Sequence, residues 1–553
     1  MQNAPLSYDV IVMGGGLAGL TLALQLKRRE PTLSVLVLER RSLPAPEATH
    51  KVGESTVEIG AHYFSEVLGL KAHLQEAQLR KFGFRFFFSE GRRDIDQVTE
   101  IGASRHMTVP SYQIDRGIFE NFLAAQAQAN GIDFVDGAMI RELTLTEDGR
   151  PAQAPHTVRY TQAEATHTAH ARWVVDACGR AGLIKRKLDL AEPNGHACHA
   201  VWFRIKDRIS IDDWSDSPEW ASRCDTATRW LSTNHLVGAG YWVWLIPLAS
   251  GSHSIGIVAD PALHPLDRMD SFDKAMAWLE QYQPALFDAL EPRRHLLQDF
   301  AFFKRFSYGC KQVYSGNRWA LTGEAGLFLD PFYSPGSDFI GISNTFVTDL
   351  ISRDIQGERW AARATAYDQF YHSLYESTMA LYEGQYAIFG DPEVLPVKII
   401  WDYAYYWGVL AQFCFHDRLT DLSSLAALRS ELAHCQQLNR SVQDFLRAWS
   451  EVSQKRNRPV MLDQIKLPWF TDLNRSLTDT LDGPGFIQRI QASNSRLTRL
   501  AAEIVQRAQA DHPDLVAFDL SPVRRANELT RSAAHEAMAA TTETLLPELE
   551  PQL

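Results

Sequence analysis

The chain is poor in the features that mark secreted, metal-bound or membrane-embedded proteins. Six cysteines (Cys178, Cys198, Cys224, Cys310, Cys414 and Cys435) are scattered over 553 residues with no CxxC pair and no metal-ligand spacing. That pattern excludes a disulfide framework and a structural metal site, and it fits reduced thiols in a cytoplasmic protein. No uninterrupted apolar segment reaches the ~20 residues that cross a bilayer. No basic stretch precedes the first apolar run, so that run is not expected to be a signal peptide. Positive charge is in deficit: 55 Lys and Arg against 67 Asp and Glu give a net charge of −12. This argues against nucleic acid or an anionic membrane as the main partner. With 45% apolar and 22% charged residues, the composition is that of a soluble globular protein long enough to bury a large core.

What the chain does have is a concentrated signal at Asp9–Glu39. An apolar run to Met13 predicts a buried strand, followed by Gly14, Gly16 and Gly19 at G-x-G-x-x-G spacing. Leu20, Leu22, Leu24 and Leu26 fit a buried helix, and Leu33 to Leu38 a second strand ending in Glu39. The first glycine permits a sharp turn, the second lets the backbone approach a diphosphate, and the third lets helix pack on strand. Free N–H groups at the helix start favour the anion. Glu39, 20 residues after Gly19, is placed to accept from a ribose hydroxyl. Leu17 and Ala18 within the loop, and Arg40 beside the acid, are assigned to the same nucleotide site.

Further on, Lys51-Val52-Gly53-Glu54-Ser55-Thr56 precedes residues with helical spacing, so Glu54 and Ser55 are expected to cap a helix, with Gly53 letting the backbone close on a ligand. In Arg80 to Phe88, Phe82, Phe84 and Phe86 alternate with Lys81, Gly83 and Arg85, which predicts a strand with Lys81 and Arg85 on one face. Ser111 to Leu123 predicts a helix. Ile132–Val135, Ile140–Leu145 and Thr157–Tyr160 predict a small sheet. Trp173 to Arg180 predicts a buried strand ending at Asp176, where α/β sheets place ligands. From Ala200 to Val258 the chain predicts an antiparallel sheet in which Trp242 and Trp244 share a face and Pro247 marks a strand end or edge. Residues 266–300 are expected to be helical. Trp319 to Gly326 predicts a strand and turn, with a helix after it beginning near Ser337–Asp338. From about 355 the chain is expected to be mostly helical, with Trp401–Trp407 inside a helix as core or as a pocket wall, and a frayed tail after Leu545.

Several of these segments together resemble one family, the flavin-dependent halogenases of the tryptophan-halogenase-like type, a branch of the FAD monooxygenase fold. The resemblance covers roughly residues 7–350. Trp242-Val243-Trp244-Leu245-Ile246-Pro247 matches the family's W-x-W-x-I-P motif. Phe328, Pro331, Ser334 and Gly336 match F-x-x-P-x-x-S-x-G, and Lys81 falls where the family carries a catalytic lysine. The resemblance implies an α/β fold: an FAD-binding Rossmann-like module of the p-hydroxybenzoate hydroxylase type with an interleaved antiparallel-sheet substrate region. The halogenase core is expected over 1–355, with nucleotide-binding segments near 7–185 and 300–355 and the antiparallel sheet near 195–300. A helical region, 356–553, is expected to cover the substrate pocket.

The same resemblance implies the chemistry. FADH2 supplied by a separate flavin reductase reacts with molecular oxygen to a flavin hydroperoxide. Chloride or bromide is oxidised to hypohalous acid, and Lys81 holds that species, or forms a haloamine, to halogenate an electron-rich indole, phenol or pyrrole. Trp242 and Trp244 are expected to keep substrate from the flavin. Further FAD contacts are assigned to Gly53, Glu54, Ser55, Arg116, Asp176, Gly323, Asp330 and Gly336. Halide contacts are assigned to Ser334, Pro335, Gly336 and Ser337. The aromatic substrate, free or tethered to a carrier protein, and a homodimer remain open. Two residues depart from the family pattern: Pro335 has no N–H to offer a halide, and Tyr333 stands where some members carry a glutamate. They keep a second reading in play, a flavin-dependent monooxygenase that hydroxylates or epoxidises without halogen.

Overall fold

Two large sheets are built mainly from the first two-thirds of the chain, and the helices after Ile355 pack beside them. The computed structural model describes residues 6–46, 51–146, 155–224, 228–513, 515 and 545. The first sheet is built on Leu6–Met13, flanked in parallel by Val35–Leu38 and by Ala165–Asp176. Asp133–Val135 and Trp319–Leu321 extend it in parallel on either side. Val10 to Met13 and Val35 to Leu38 are buried, as expected of strands covered on both faces. The helix Leu17–Arg29 packs on this sheet and against the helix Gly336–Ile355. The small sheet expected from the sequence is not separate: Met139–Thr144 and His156–Gln162 join the same sheet through Ala165–Asp176.

The second sheet has eight strands and is mostly antiparallel, with Tyr241–Pro247 between Thr233–Gly238 and His253–Ala259. Pro247 ends that strand rather than lying on an edge. Alternation along it divides two cores. Trp242, Trp244 and Ile246 face the core shared with the first sheet and the C-terminal helices. Tyr241, Val243 and Leu245 face a smaller core under the helices Phe272–Tyr282 and Pro284–Leu290. The fold is therefore α/β with an interleaved antiparallel sheet and a helical C-terminal region.

Four local expectations change. The strand at 80–88 is only Phe84–Phe87, because Gly83 at φ +74° breaks the alternation; Lys81 lies before it on a loop. The helix after the Gly53 segment starts at Glu58, so Glu54 and Ser55 cap nothing. The helix expected from Ser111 begins at Arg116 behind a short strand, with Asp115 as its cap. Residues 297–303 form a strand rather than the end of a helical stretch.

The C-terminal region is not only helical. Met461–Asp463 adds a strand in parallel to Glu100–Gly102. Trp401–Trp407 lies in the helix Val394–Tyr405 and the π-helical turn Tyr406–Leu410 that continues it. The tail beyond Leu545 lies outside the described residues. Among the described residues no helix is long and apolar enough to cross a membrane.

Beside that added strand sits a dry ion cluster. Glu100 accepts from Arg85 and from Arg229 Nε at 2.9 Å, and all three side chains are buried. Removing one partner leaves charge stranded where water cannot reach it. Glu100→Leu is expected to cost about 3–5 kcal/mol, read as a lower urea midpoint with an unchanged slope; an unshifted midpoint would show that the cluster carries no stability.

Candidate functional site

A cavity of about 580 Å³ runs from the glycine loop to the tryptophan pair and the start of the helix Gly336–Ile355. At its first end the wall is Gly14, Gly16, Leu17 and Ala18. Gly14 has φ +111°, and a Cβ there would stand 2.3 Å from the Ala177 carbonyl oxygen, so only glycine makes this turn. Gly16 caps the helix Leu17–Arg29, whose first N–H groups have no partner inside the helix. Gly19 is not on the wall. A Cβ there would collide with the Gly14 carbonyl at 1.9 Å, so its role is to let the helix close on the turn. Glu39 reaches the wall with its carboxylate already accepting from Gly15 N–H and Arg41 N–H, both at 2.8 Å.

Cations gather around this end. Arg40, Arg116 and Lys51 line it together with Gly53. Arg116 donates to the Val52 carbonyl at 2.6 Å and pairs with Glu120, which also takes the Lys51 ammonium. Lys51 was not assigned from the sequence. Its Nζ lies 3.8 Å from the position of a Cβ on Gly16, and burial lowers its pKa. A helix start, a glycine cradle and paired cations fit the diphosphate of FAD.

At the other end the wall is Trp242, Trp244, Asp330 and Ser334 to Ser337. Trp244 Nε1 donates to Ser254 at 3.2 Å and Trp242 Nε1 to Tyr386 at 3.0 Å, so the pair presents apolar faces. The Tyr386 hydroxyl in turn donates to Asp330 at 2.6 Å, which also holds His196 at 2.6 Å and caps Phe332 N–H. Asp330 is therefore on the wall but occupied by protein groups. Pro335 is the N-cap of the helix Gly336–Ile355, so its missing N–H lies outside the helix's own first donors. A Cβ on Gly336 would meet nothing within 4 Å, so the helix start faces open space. Tyr333 turns away and donates to Asp402 at 2.7 Å. Gly323 also lies on the wall, at φ +59°.

Two further assigned carboxylates are already engaged by protein groups. Asp176 is fully buried and off the wall; its carboxylate takes Cys178 N–H at 3.0 Å and Ile184 N–H at 2.7 Å and so fixes the turn after the strand. Glu54 is on the wall, but it is paired with Arg204 at 2.7 Å.

Lys81 lies behind the cavity rather than in it. It donates to Ser55 Oγ and to the Thr56 carbonyl, each at 3.0 Å, and its Nζ sits 3.3 Å from the centre of the Phe84 ring. Ser55, which does line the cavity, is bonded to Thr233 at 2.9 Å. Burial lowers the Lys81 pKa to about 7, against the pull of Glu58 and Asp338. Both carboxyls are themselves buried: Asp338 is raised to about 8 although it accepts from Gly60 N–H and Tyr406 at 2.8 Å, and Glu58 is raised as well. Glu58 and Asp338 were not read as site residues. Each sits in the first turn of a helix, where an acid reads as a dipole partner.

Residues 7–270 match the family model described as an FAD binding domain. A flavin-dependent halogenase of Dictyostelium discoideum is 26% identical over 430 residues, 73% of this chain and 70% of that protein. A 1H-pyrrole-2-carbonyl peptidyl-carrier-protein chlorinase of Pseudomonas fluorescens is 27% identical over 355 residues, 60% of this chain and 72% of that one. The solved structure of the halogenase PltM shares the fold, with a TM-score of 0.65 and 18% identity over 89% of this chain and 99% of its own.

Gly14→Ala tests the first end of the cavity. It is expected to lose the visible absorbance of bound FAD and to lower the thermal midpoint, because the added methyl meets backbone; full flavin retention would refute the assignment.

Proposed function

Because the chain is similar to flavin-dependent halogenases and carries an FAD binding domain, we propose that it is an FADH2-dependent halogenase of an electron-rich arene in which Lys81 delivers the halogen. The observation that carries this reading is a buried amine of pKa about 7, separated from the flavin-sized cavity by the Ser55 hydroxyl. Reduced FAD, when bound, supplies the electrons with which dioxygen oxidises halide to hypohalous acid. A separate flavin reductase provides that reduced FAD. Gly14, Gly16, Lys51 and Arg116 would hold its diphosphate, with Glu39 and Arg40 at the adenosine end and Gly323 near the ring system.

The halide is assigned to the N–H groups of Gly336 and Ser337 and the Ser334 hydroxyl. Trp242 and Trp244 exclude the arene from the cavity. Burial favours the free amine of Lys81 over its ammonium. Its lone pair takes the halogen of hypohalous acid; the O–X bond breaks, and the departing hydroxide carries off an amine proton as water. The ring carbon then takes the halogen, the N–X electron pair returns to nitrogen, and the ring proton restores the amine. Atoms and charge close in both steps. A carrier-held pyrrole is the substrate named for the Pseudomonas fluorescens chlorinase.

Lys81→Met should keep FAD and consume reduced flavin while releasing no organic halide. In the parent enzyme, kcat/KM for the arene should rise through pH ~7 and level above it, since only the neutral amine accepts halogen. Regioselective halogenation by Lys81→Met would end the lysine assignment. A product that is oxygenated, and unchanged by omitting halide, would favour the monooxygenase reading instead.

A further inference from the structure

One short strand holds Ser55 and Lys81 in register. Tyr112–Gln113 pairs with Leu79–Arg80, and the next N–H, that of Lys81, donates to the Ser111 carbonyl at 2.9 Å. The same strand takes Ser55 in a bridge to Gln113, and Thr56 N–H donates to the Tyr112 carbonyl at 2.9 Å. The 3.0 Å contact between Lys81 Nζ and Ser55 Oγ therefore rests on a backbone frame, the kind of positioning that proton transfer requires.

The Ser55 hydroxyl joins the amine to the flavin-sized cavity. Ser55 lines that cavity and Lys81 does not; Lys81 borders a separate small recess with Phe82, Tyr403 and Trp407, on which Ser55 does not lie. The other acceptor of Lys81, the Thr56 carbonyl, belongs to a residue off the cavity wall. A carbonyl only accepts, whereas a hydroxyl both accepts and donates. Ser55 is bonded in turn to Thr233 Oγ1 at 2.9 Å, and Thr233 meets both ends of the Gln113 amide, Nε2 at 2.9 Å and Oε1 at 3.2 Å. Because the amide offers a donor and an acceptor, Thr233 can take a hydrogen from Gln113 or give one to it. Ser55 is then able to turn its own hydrogen toward Thr233 or away from it while the buried array stays paired.

Resting on the halogenase reading, we propose that Ser55 is a catalytic residue that relays the proton leaving Lys81 to the oxygen leaving the halogen. As the Lys81 nitrogen bonds the halogen, the O–X bond breaks and its electron pair goes to oxygen. Ser55 gives its hydrogen to that hydroxide, which becomes water on the cavity side, and takes a hydrogen from the Lys81 nitrogen. One N–H and one serine O–H bond break, one O–H bond forms at each oxygen, and Ser55 ends as a neutral hydroxyl.

The test needs no arene. FAD-loaded enzyme is reduced chemically and mixed with oxygenated bromide buffer containing catalase; protein-bound and free oxidising bromine are then separated at successive times and titrated with a thiol. Lys81→Met sets the background. Ser55→Ala and, independently, Ser55→Gly are expected to keep FAD but to load Lys81 about a hundredfold or more slowly, the weight of a positioned proton-transfer group, with bromine appearing free instead. Ser55→Thr, which keeps a hydroxyl, should recover most of the rate. In mixtures of light and heavy water the parent's loading rate should fall along a curve, since two protons move together, and that of Ser55→Ala along a straight line; a purely structural role for Ser55 would not produce this difference. A parental rate in either FAD-loaded variant without the hydroxyl, or a straight line for the parent, overturns the relay alone. Free bromine with none on Lys81 of the parent overturns the lysine assignment and the relay with it. No oxidising bromine at all, bound or free, counts against the halogenase reading itself.

Discussion

The structure depends on keeping one amine dry. Lys81 has exchanged water for a serine hydroxyl, a carbonyl and the face of Phe84. Those three contacts do not replace the hydration of an ammonium, so its proton is loosely held. The two nearby carboxyls cannot correct this, since the same dryness raises their own pKa values. The result is a group of ionisable residues close to neutrality as a set. Its walls come from four places: Ser55 to Glu58, Lys81 to Phe84, Asp338, and the Tyr403–Trp407 helix. Sheet, loop and C-terminal helices have to meet for the amine to have its altered acidity.

Much of the nucleotide end was legible because its causes are local. A turn at φ +111° demands glycine, and a helix that must touch that turn demands another. The acids were harder. Asp176 ends a buried strand, the position of a ligand contact, but the next turn brings the N–H groups of Cys178 and Ile184 onto it. Asp330 is taken by His196 and Tyr386, residues 134 and 56 positions away. No local pattern announces partners at such range. Lys81 is singled out by its motif context alone, while alternation places it on a strand that Gly83 at φ +74° breaks. Glu58 has an ordinary place in a first helical turn, and only the fold brings Trp407 and Lys81 against it.

The tryptophan wall and the start of the helix Gly336–Ile355 are mechanically joined. Trp242 holds Tyr386, Tyr386 holds Asp330, and Asp330 caps the short turn Pro331–Tyr333 that leads into Pro335. Each link is a buried hydrogen bond, so a change at the wall is felt at the loop. Tyr333, in that same turn, is fixed from outside by Asp402, itself held by Lys398 and Gln443. The loop is thus gripped from both sheet and helices, and its left-handed Ser334 at φ +52° is held by groups on either side.

The strand Met461–Asp463 has a consequence in time. Every strand of the first sheet lies before residue 322, so that sheet has its full complement of strands early in synthesis. The second sheet gains its last strand only after Asp463 has left the ribosome, when it pairs with Glu100–Gly102 more than 350 residues upstream. Asn457 and Arg458 bond to Thr99 across the same gap. Until that long loop closes, Arg85 and Arg229 share their carboxylate at an open edge. That edge of the second sheet is therefore completed by a late, long-range step in folding.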